Sequence, residues 1–262
     1  MPTPSLISLP KKPFNPAPLW LAGWLAVLVA ITYGLDLSFE TLLWGAEDMG
    51  EYLSRFGHPD FSDLPRYAEL MGVTIATALW GTAIAAALAF VLAPLAAANL
   101  TPGPKTFRVT REILNFTRAM PDLLLALIFV AAMGLGPMPG ALALGIGCSG
   151  FLGKFFAESM ERIDPGVIEA VNAAGGTKAQ VVMLAAWPSV LREALGYTLY
   201  IMDRNVRMAS VLGLVGAGGI GLALHDTLRL FKYDEAAALI AVILVVLLAF
   251  DWLSTWLRGK LK

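Results

Sequence analysis

Leu239-Ile-Ala-Val-Ile-Leu-Val-Val-Leu-Leu-Ala-Phe250 carries no charge and lies at the centre of a longer apolar stretch, Ala236–Leu257. The hydrocarbon core of a bilayer takes about 20 apolar residues per helical crossing, so this stretch reads as a transmembrane helix. The rest of the chain agrees with it. Of 262 residues, 57% are hydrophobic and 15% charged, against about 25% charged in an ordinary soluble domain. The mean hydropathy is +0.69. Charges gather between long uncharged stretches, which is the pattern a bilayer imposes.

Working outward, five further spans can be placed: Leu19–Leu35, Tyr67–Ala98, Ile113–Met133 with Pro121 near its start, Ala141–Phe156 and Val190–Val215. Gly134-Leu-Gly-Pro-Met-Pro-Gly140 reads as a tight turn between the third and fourth. The expected fold class is an all-α integral membrane protein with six transmembrane helices. Lys11 and Lys12 ahead of Leu19–Leu35 would suit a signal peptide as well as a first span. No small-x-small cleavage site follows, so the helix is expected to be retained. Residues 1–18 read as a flexible cytoplasmic tail and 19–262 as the membrane domain.

Orientation follows from the lysines and arginines of the loops. The segment 36–66 has two basic residues, Arg55 and Arg66, against seven acidic ones. Asn99–Arg118 has four basic residues and one acidic, Lys154–Arg192 has four basic, and the tail ends Arg258-Gly-Lys-Leu-Lys262. Six spans put these basic segments on one side with Lys11 and Lys12. Both termini are therefore expected in the cytoplasm, and 36–66 outside.

Several chemistries drop out. A net charge of −1 offers no basic field for nucleic acid. Cys148 alone excludes an intramolecular disulfide framework and a multi-cysteine metal site, and His58 and His225 form no cluster. No G-x-x-x-x-G-K-[ST] loop is present, so nucleotide hydrolysis would have to come from a partner. Asp122, Glu158, Asp203 and Asp251 lack catalytic spacing, which weighs against a membrane-embedded enzyme, and no catalytic residue is assigned.

The cytoplasmic segment 157–189 holds two short helices. Asp164 suits an N-cap and Pro165 the first helical position. This helix should stop at Gly175-Gly176. Thr177-Lys-Ala-Gln180 has capping-box spacing, and the second helix is expected to close at Pro188. Glu169-Ala170-Val171, Gly175 and Ala185-x-Trp187-Pro188 resemble the EAA loop of ABC-importer permeases, E-A-A, three residues, G, nine residues, I-x-L-P. The departures are Val171, Ala185 and Trp187, all apolar. The resemblance implies a type I importer permease whose coupling helix seats in the ATPase subunit, with Glu169, Ala170, Gly175 and Pro188 as coupling residues.

Two further stretches are similar to the phosphonate importer permease. One is Arg118-Ala-Met-Pro-Asp122 with Leu127–Pro137. The other is Arg204-Asn-Val-Arg207 with Val211–Gly221. The resemblance implies a homodimer with two ATPase subunits that bind ATP and Mg, and an extracytoplasmic solute-binding protein. It implies no cofactor in this chain and a bacterial inner-membrane location. The cargo it implies is phosphonate, phosphite or hypophosphite; methionine or another small organic solute is the alternative.

Arg204 and Arg207 fall in the outer half of the fifth span, where charges usually face a bundle interior or a watery path. With Asn205 and Ser210 they are candidates for the substrate pathway. The competing reading is an internal ion pair, Asp203 with Arg207 at i,i+4. Arg118 and Asp122 have the same spacing and read as a structural anchor. Gly216-Ala-Gly-Gly-Ile-Gly221 satisfies G-x-G-x-x-G but has no preceding strand, so no dinucleotide site is expected. Gly216, Gly218, Gly219 and Gly221 read instead as a kink or gate.

Overall fold

The computed structural model describes residues 16–35 and 39–260, which form helices, turns and loops with no strand among them. Most of the expected tail, residues 1–15, lies outside the described residues, as do the first three residues of the segment 36–66. Two bodies separate, one running to Arg55 and the other from Phe56. The first holds α1 (Ala17–Gly34) and α2 (Phe39–Ser54). No residue of α1 is buried. A helix that is apolar on every side and covered by nothing in its own body is a lipid-facing span.

The second body runs α3 (Leu64–Ala96), α4 (Pro104–Ala119), α5 (Asp122–Met133), α6 (Pro137–Glu161), α7 (Pro165–Ala173), α8 (Lys178–Gln180), α9 (Trp187–Leu212), α10 (Gly219–Arg229) and α11 (Tyr233–Lys260). Its centre is the pair α3 and α6. Ala78, Thr82, Ala85, Ala89 and Ala93 recur on α3 at three- and four-residue intervals and are buried. They face a stripe of small residues on α6. A Cβ added at Gly81 would stand 2.7 Å from Leu144 Cβ, and one at Gly145 2.7 Å from Ile84 Cβ. Lipid tails are as apolar as leucine, so helices in a bilayer associate through such close packing. One core gathers Leu114, Leu152, Phe156, Met160 and Trp187 around this pair, and a second gathers Met71, Leu144, Leu212, Ile220 and Leu239.

Among the described residues four helices, α1, α3, α6 and α11, are each long and apolar enough to cross a membrane. Two bent pairs, α4 with α5 and the helix through Ala217 with α10, make six if each is one crossing. The third expected span is therefore not one helix. It breaks by 87° between α4 and α5 because Pro121 disfavours helical geometry at the residue before it. Met120 is accordingly extended, at φ −74° and ψ 124°. The fifth expected span ends where it was expected, at a kink where Val215 and Gly216 leave helical geometry, but α10 beyond it was not anticipated.

The second coupling helix does not close at Pro188 either. Residues from Lys178 run on as one helix to the kink at Val215 and Gly216, widened to a π-helical turn over Val181–Ala186, where Trp187 N–H donates to Val182 O. A proline ring in a regular helix meets the carbonyl four residues back. The widened turn moves that carbonyl aside, so the proline is absorbed and the helix continues.

Candidate functional site

The loop that leaves α6 is built as a rigid rod. Asp164 caps α7 by accepting from Gly166 N–H at 2.8 Å. At the other end Gly175 takes φ +81°. Its N–H donates to Asn172 O at 2.9 Å, and Gly176 N–H donates to Val171 O at 2.9 Å. These two bonds are a Schellman stop, which places a residue in the left-handed region where glycine carries no Cβ penalty. Thr177 then opens α8 with both halves of a capping box, Thr177 N–H donating to Gln180 Oε1 at 2.7 Å. Ile168 and Val171 pack against the core, while Glu169, Ala170 and Gly175 are exposed. Pro188 lies in the first turn of α9, so of the four coupling candidates three lie on the outward face of this rod and the fourth in the helix that follows it.

A rod of this kind moves as a body. Its attachment runs through α6 and the Lys178–Ala217 helix, so a push on α7 is carried directly into both. Arg111 reinforces the hinge region, donating to Glu161 at 2.8 Å and to Ala96 O at 3.1 Å. Together these bonds tie the ends of α3, α4 and α6.

Deeper in the bundle α3, α5, α6 and α9 meet on a polar knot. Asn205 is fully buried. It donates to Thr82 Oγ1 at 3.0 Å and accepts from the Cys148 thiol at 3.0 Å. Arg204 donates to Cys148 Sγ at 2.9 Å and to Asp122 Oδ2 at 2.6 Å. Its guanidinium lies 5.4 Å from the Phe151 ring centroid, and that of Arg118 lies 5.0 Å from it. The expected Arg118–Asp122 pair does not form. The break at Pro121 turns Asp122 inward to Arg204 and leaves Arg118 on the aromatic ring. A Cβ at Gly147 would stand 2.6 Å from Asp122 Oδ1, so this glycine makes the room for the carboxylate.

Arg207 is placed differently. It pairs with Asp203, as the i,i+4 spacing anticipated. Asp203 is nearly buried, but the Arg207 side chain remains 45% exposed. Tyr200 and Val211 are also uncovered on α9, while Asn205 and Ser210 point into the bundle. Ser210 Oγ donates back to Val206 O at 3.2 Å. The sequence candidates thus divide into an internal pair, Arg204 and Asn205, an outward cation, Arg207, and a hydroxyl satisfied within its own helix.

The glycine run forms the sharp corner after this helix. Gly216, Gly218 and Gly219 all have positive φ, and the chain bends by 56° into α10. The corner is held by Ile220 N–H donating to Thr74 Oγ1 at 3.0 Å and by Gly136 N–H donating to Gly216 O at 3.0 Å. A Cβ at Gly221 would fall well inside contact distance of the Ser210 carbonyl oxygen. Gly221→Ala should therefore force the two backbones apart, at a cost on the order of the 1–3 kcal/mol of overpacking. The expected readout is a lower unfolding temperature of the purified protein; an unchanged one would show that the corner yields freely.

The fold is thus an all-helical bundle with a capped two-helix loop, a buried polar knot and a half-exposed cation at Arg207. Residues 89–262 match the family described as binding-protein-dependent transport system inner membrane component. The chain belongs to this family. It is a transport subunit of an inner membrane. The phosphite transport system permease protein PtxC of Stutzerimonas stutzeri is 40% identical over 236 residues, spanning 90% of this chain and 86% of that protein. The phosphate-import permease protein PhnE of Mycolicibacterium smegmatis is 42% identical over 188 residues, 72% of this chain and 35% of that longer protein. In fold, the chain resembles a solved amino acid ABC transporter with histidines, at TM-score 0.60 and 17% identity, over 77% of this chain and 98% of that one. An inward-facing MetNI methionine ABC transporter matches equally, at TM-score 0.60 and 18% identity, over 74% and 93%.

The sequence reading missed the knot. Thr82 and Cys148 are polar residues among small ones in apolar spans, but Thr74 and Thr77 in α3 and Ser149 in α6 share that setting, so the sequence offered no signal specific to them.

Proposed function

We propose that this chain forms the membrane pathway of an ATP-driven importer for a phosphorus oxyanion such as phosphonate, phosphite or hypophosphite. It works as a homodimer with two ATPase subunits, which bind ATP and Mg, and an extracytoplasmic binding protein. Both termini are cytoplasmic. The observation that carries the reading is Arg207, a cation left half-exposed on an uncovered face in the outer half of a span. A charge within the hydrocarbon core is costly against lipid, about 2.5–3.5 kcal/mol at its centre on insertion scales, so this face belongs against water or a second copy. Pairing with Asp203 lowers that cost and uses only part of the five-donor guanidinium. The remaining donors suit an oxyanion in passing, and the Asp203 carboxylate keeps it from being held tightly. Arg204, Asn205 and Ser210 shape the wall behind it. Gly216, Gly218, Gly219 and Gly221 form the outer gate. Glu169, Ala170, Gly175 and Pro188 couple the bundle to the ATPase. The names of the relatives, phosphite and phosphate permeases at 40% and 42% identity, support the cargo class.

The test is uptake by the complex in vesicles, supplied with its binding protein and offered phosphite or methionine. Phosphite should enter and methionine should not. Arg207→Gln, correctly inserted, should slow phosphite uptake about tenfold, since a charge-assisted hydrogen bond contributes about 1.5–3 kcal/mol. Unchanged uptake by that variant rejects the pathway role, and preferential methionine uptake rejects the cargo class.

A further inference from the structure

Between α6, α9 and α11 lies an open groove of about 870 Å³, lined among others by Phe155, Arg192, Tyr197, Tyr200 and Arg258. Its lining is mostly apolar, yet two guanidiniums enter it. Among the described residues neither has a carboxylate partner. Arg258 donates only to Ser254 O at 3.3 Å and Thr255 Oγ1 at 3.2 Å, and no ion pair involves Arg192. The one acid in the wall, Glu193, is already neutralised. It accepts from Ser159 Oγ at 2.6 Å and from Arg162 at 3.0 Å. The groove therefore has uncompensated positive charge, and beside it the Tyr200 phenol can donate or accept, that of Tyr197 being engaged by Arg162.

Its position gives the charge a meaning. With 3.6 residues per turn, Arg192, Gly196, Tyr200 and Arg207 fall on one stripe of α9. The groove continues the face of Arg207 toward the start of the helix, roughly 22 Å away at 1.5 Å per residue. We infer that this groove is a second seat for a phosphate-type oxyanion group, with Arg192 and Arg258 as its ligands. Planar guanidiniums match such groups with paired N–H donors. The group has two possible sources, the transported anion on its way out or the headgroup of an anionic phospholipid in the inner leaflet. The inference rests on the orientation and cargo class proposed above.

The experiment uses the whole permease–ATPase complex with its binding protein, in vesicles of phosphatidylcholine alone or with added phosphatidylglycerol. Phosphite uptake is measured for the wild type, Arg192→Gln, Arg258→Gln and the double variant. Arg192 has no ion pair among the described residues, so its single variant should assemble normally and carries the test if the double one does not. The variants should lose about tenfold in uptake, again from the 1.5–3 kcal/mol of a charge-assisted bond. If the transported anion is the ligand, the loss appears in both lipids and the wild type is indifferent to lipid. If a headgroup is the ligand, the wild type is slow in phosphatidylcholine and stimulated by phosphatidylglycerol. The variants are then not stimulated, and native mass spectrometry finds the anionic lipid retained by the wild type only. Variants that match the wild type in both lipids and retain the same phosphatidylglycerol overturn the inference. A wild type that moves no phosphite at all refutes the proposed cargo instead, and the lipid-retention comparison still decides the groove.

Discussion

Glu169→Lys and Gly175→Pro should each abolish uptake while leaving the protein in the membrane. The two act on different properties of one rod. Glu169 is exposed on α7 with no hydrogen bond or ion pair to it among the described residues. Its reversal therefore leaves the fold alone and changes only what the rod presents to a partner. Losing or reversing a charge within an interface costs about 2–5 kcal/mol, enough to undock a motor subunit at working concentrations. Gly175 controls shape. Proline holds φ near −65°, whereas this residue needs +81°, and proline also removes the N–H that bonds Asn172 O. The stop is lost, and α7 no longer meets α8 at a fixed angle. Gly175→Ala should be milder, at about 1–3 kcal/mol for a left-handed non-glycine residue. The measurement is uptake beside ATPase activity in the reconstituted complex. Hydrolysis without uptake is expected of the proline variant, and uptake at the wild-type rate by both variants would contradict the coupling role.

Asp122→Ala should be the most damaging change to stability. The Asp122 side chain is 6% exposed and that of Arg204 29%, so removing the acid strands a guanidinium inside the bundle. Breaking a buried pair from one side costs about 3–5 kcal/mol. Removing both members costs less than the sum of the single changes, because the double variant leaves no charge unpaired. Thermal unfolding of Asp122→Ala, Arg204→Ala and the double variant in detergent measures this. The double variant should unfold above the lower of the two single variants. Strict additivity would show that the two side chains stabilise the bundle independently.

Much of the architecture could be read from residues alone, because the bilayer leaves few options. Uninterrupted apolar runs such as Leu239–Phe250 mark helices, and charges mark their ends. The rod was legible in detail for a related reason. Asp164, Pro165, Gly175 and Thr177-x-x-Gln180 act within a turn of their own position, so local chemistry decides them. The misreadings have the opposite origin. Pro121 and Pro188 carry the same backbone restriction, yet one breaks its helix by 87° and the other is absorbed in a continuous one. The difference lies in whether a widened turn precedes the ring, and nothing within the proline's own neighbourhood announces that. Asp122 was assigned to Arg118 by spacing, but the break at Pro121 turned it toward Arg204, 82 residues away. The polar knot depends on four helices meeting and has no local signature. Among the pathway candidates, chain position could not separate Arg207 on the uncovered face from Asn205 on the buried one.

In the mechanism proposed above, α7 passes work from a separate ATPase into the Lys178–Ala217 helix and so moves an oxyanion past Arg207. The most direct measurement is phosphite accumulation in vesicles containing this chain and its binding protein, with and without the ATPase subunits and ATP. Accumulation against a gradient should require both, and should stop when α7 is disulfide-locked to its own bundle. Equal accumulation without the ATPase would contradict the account.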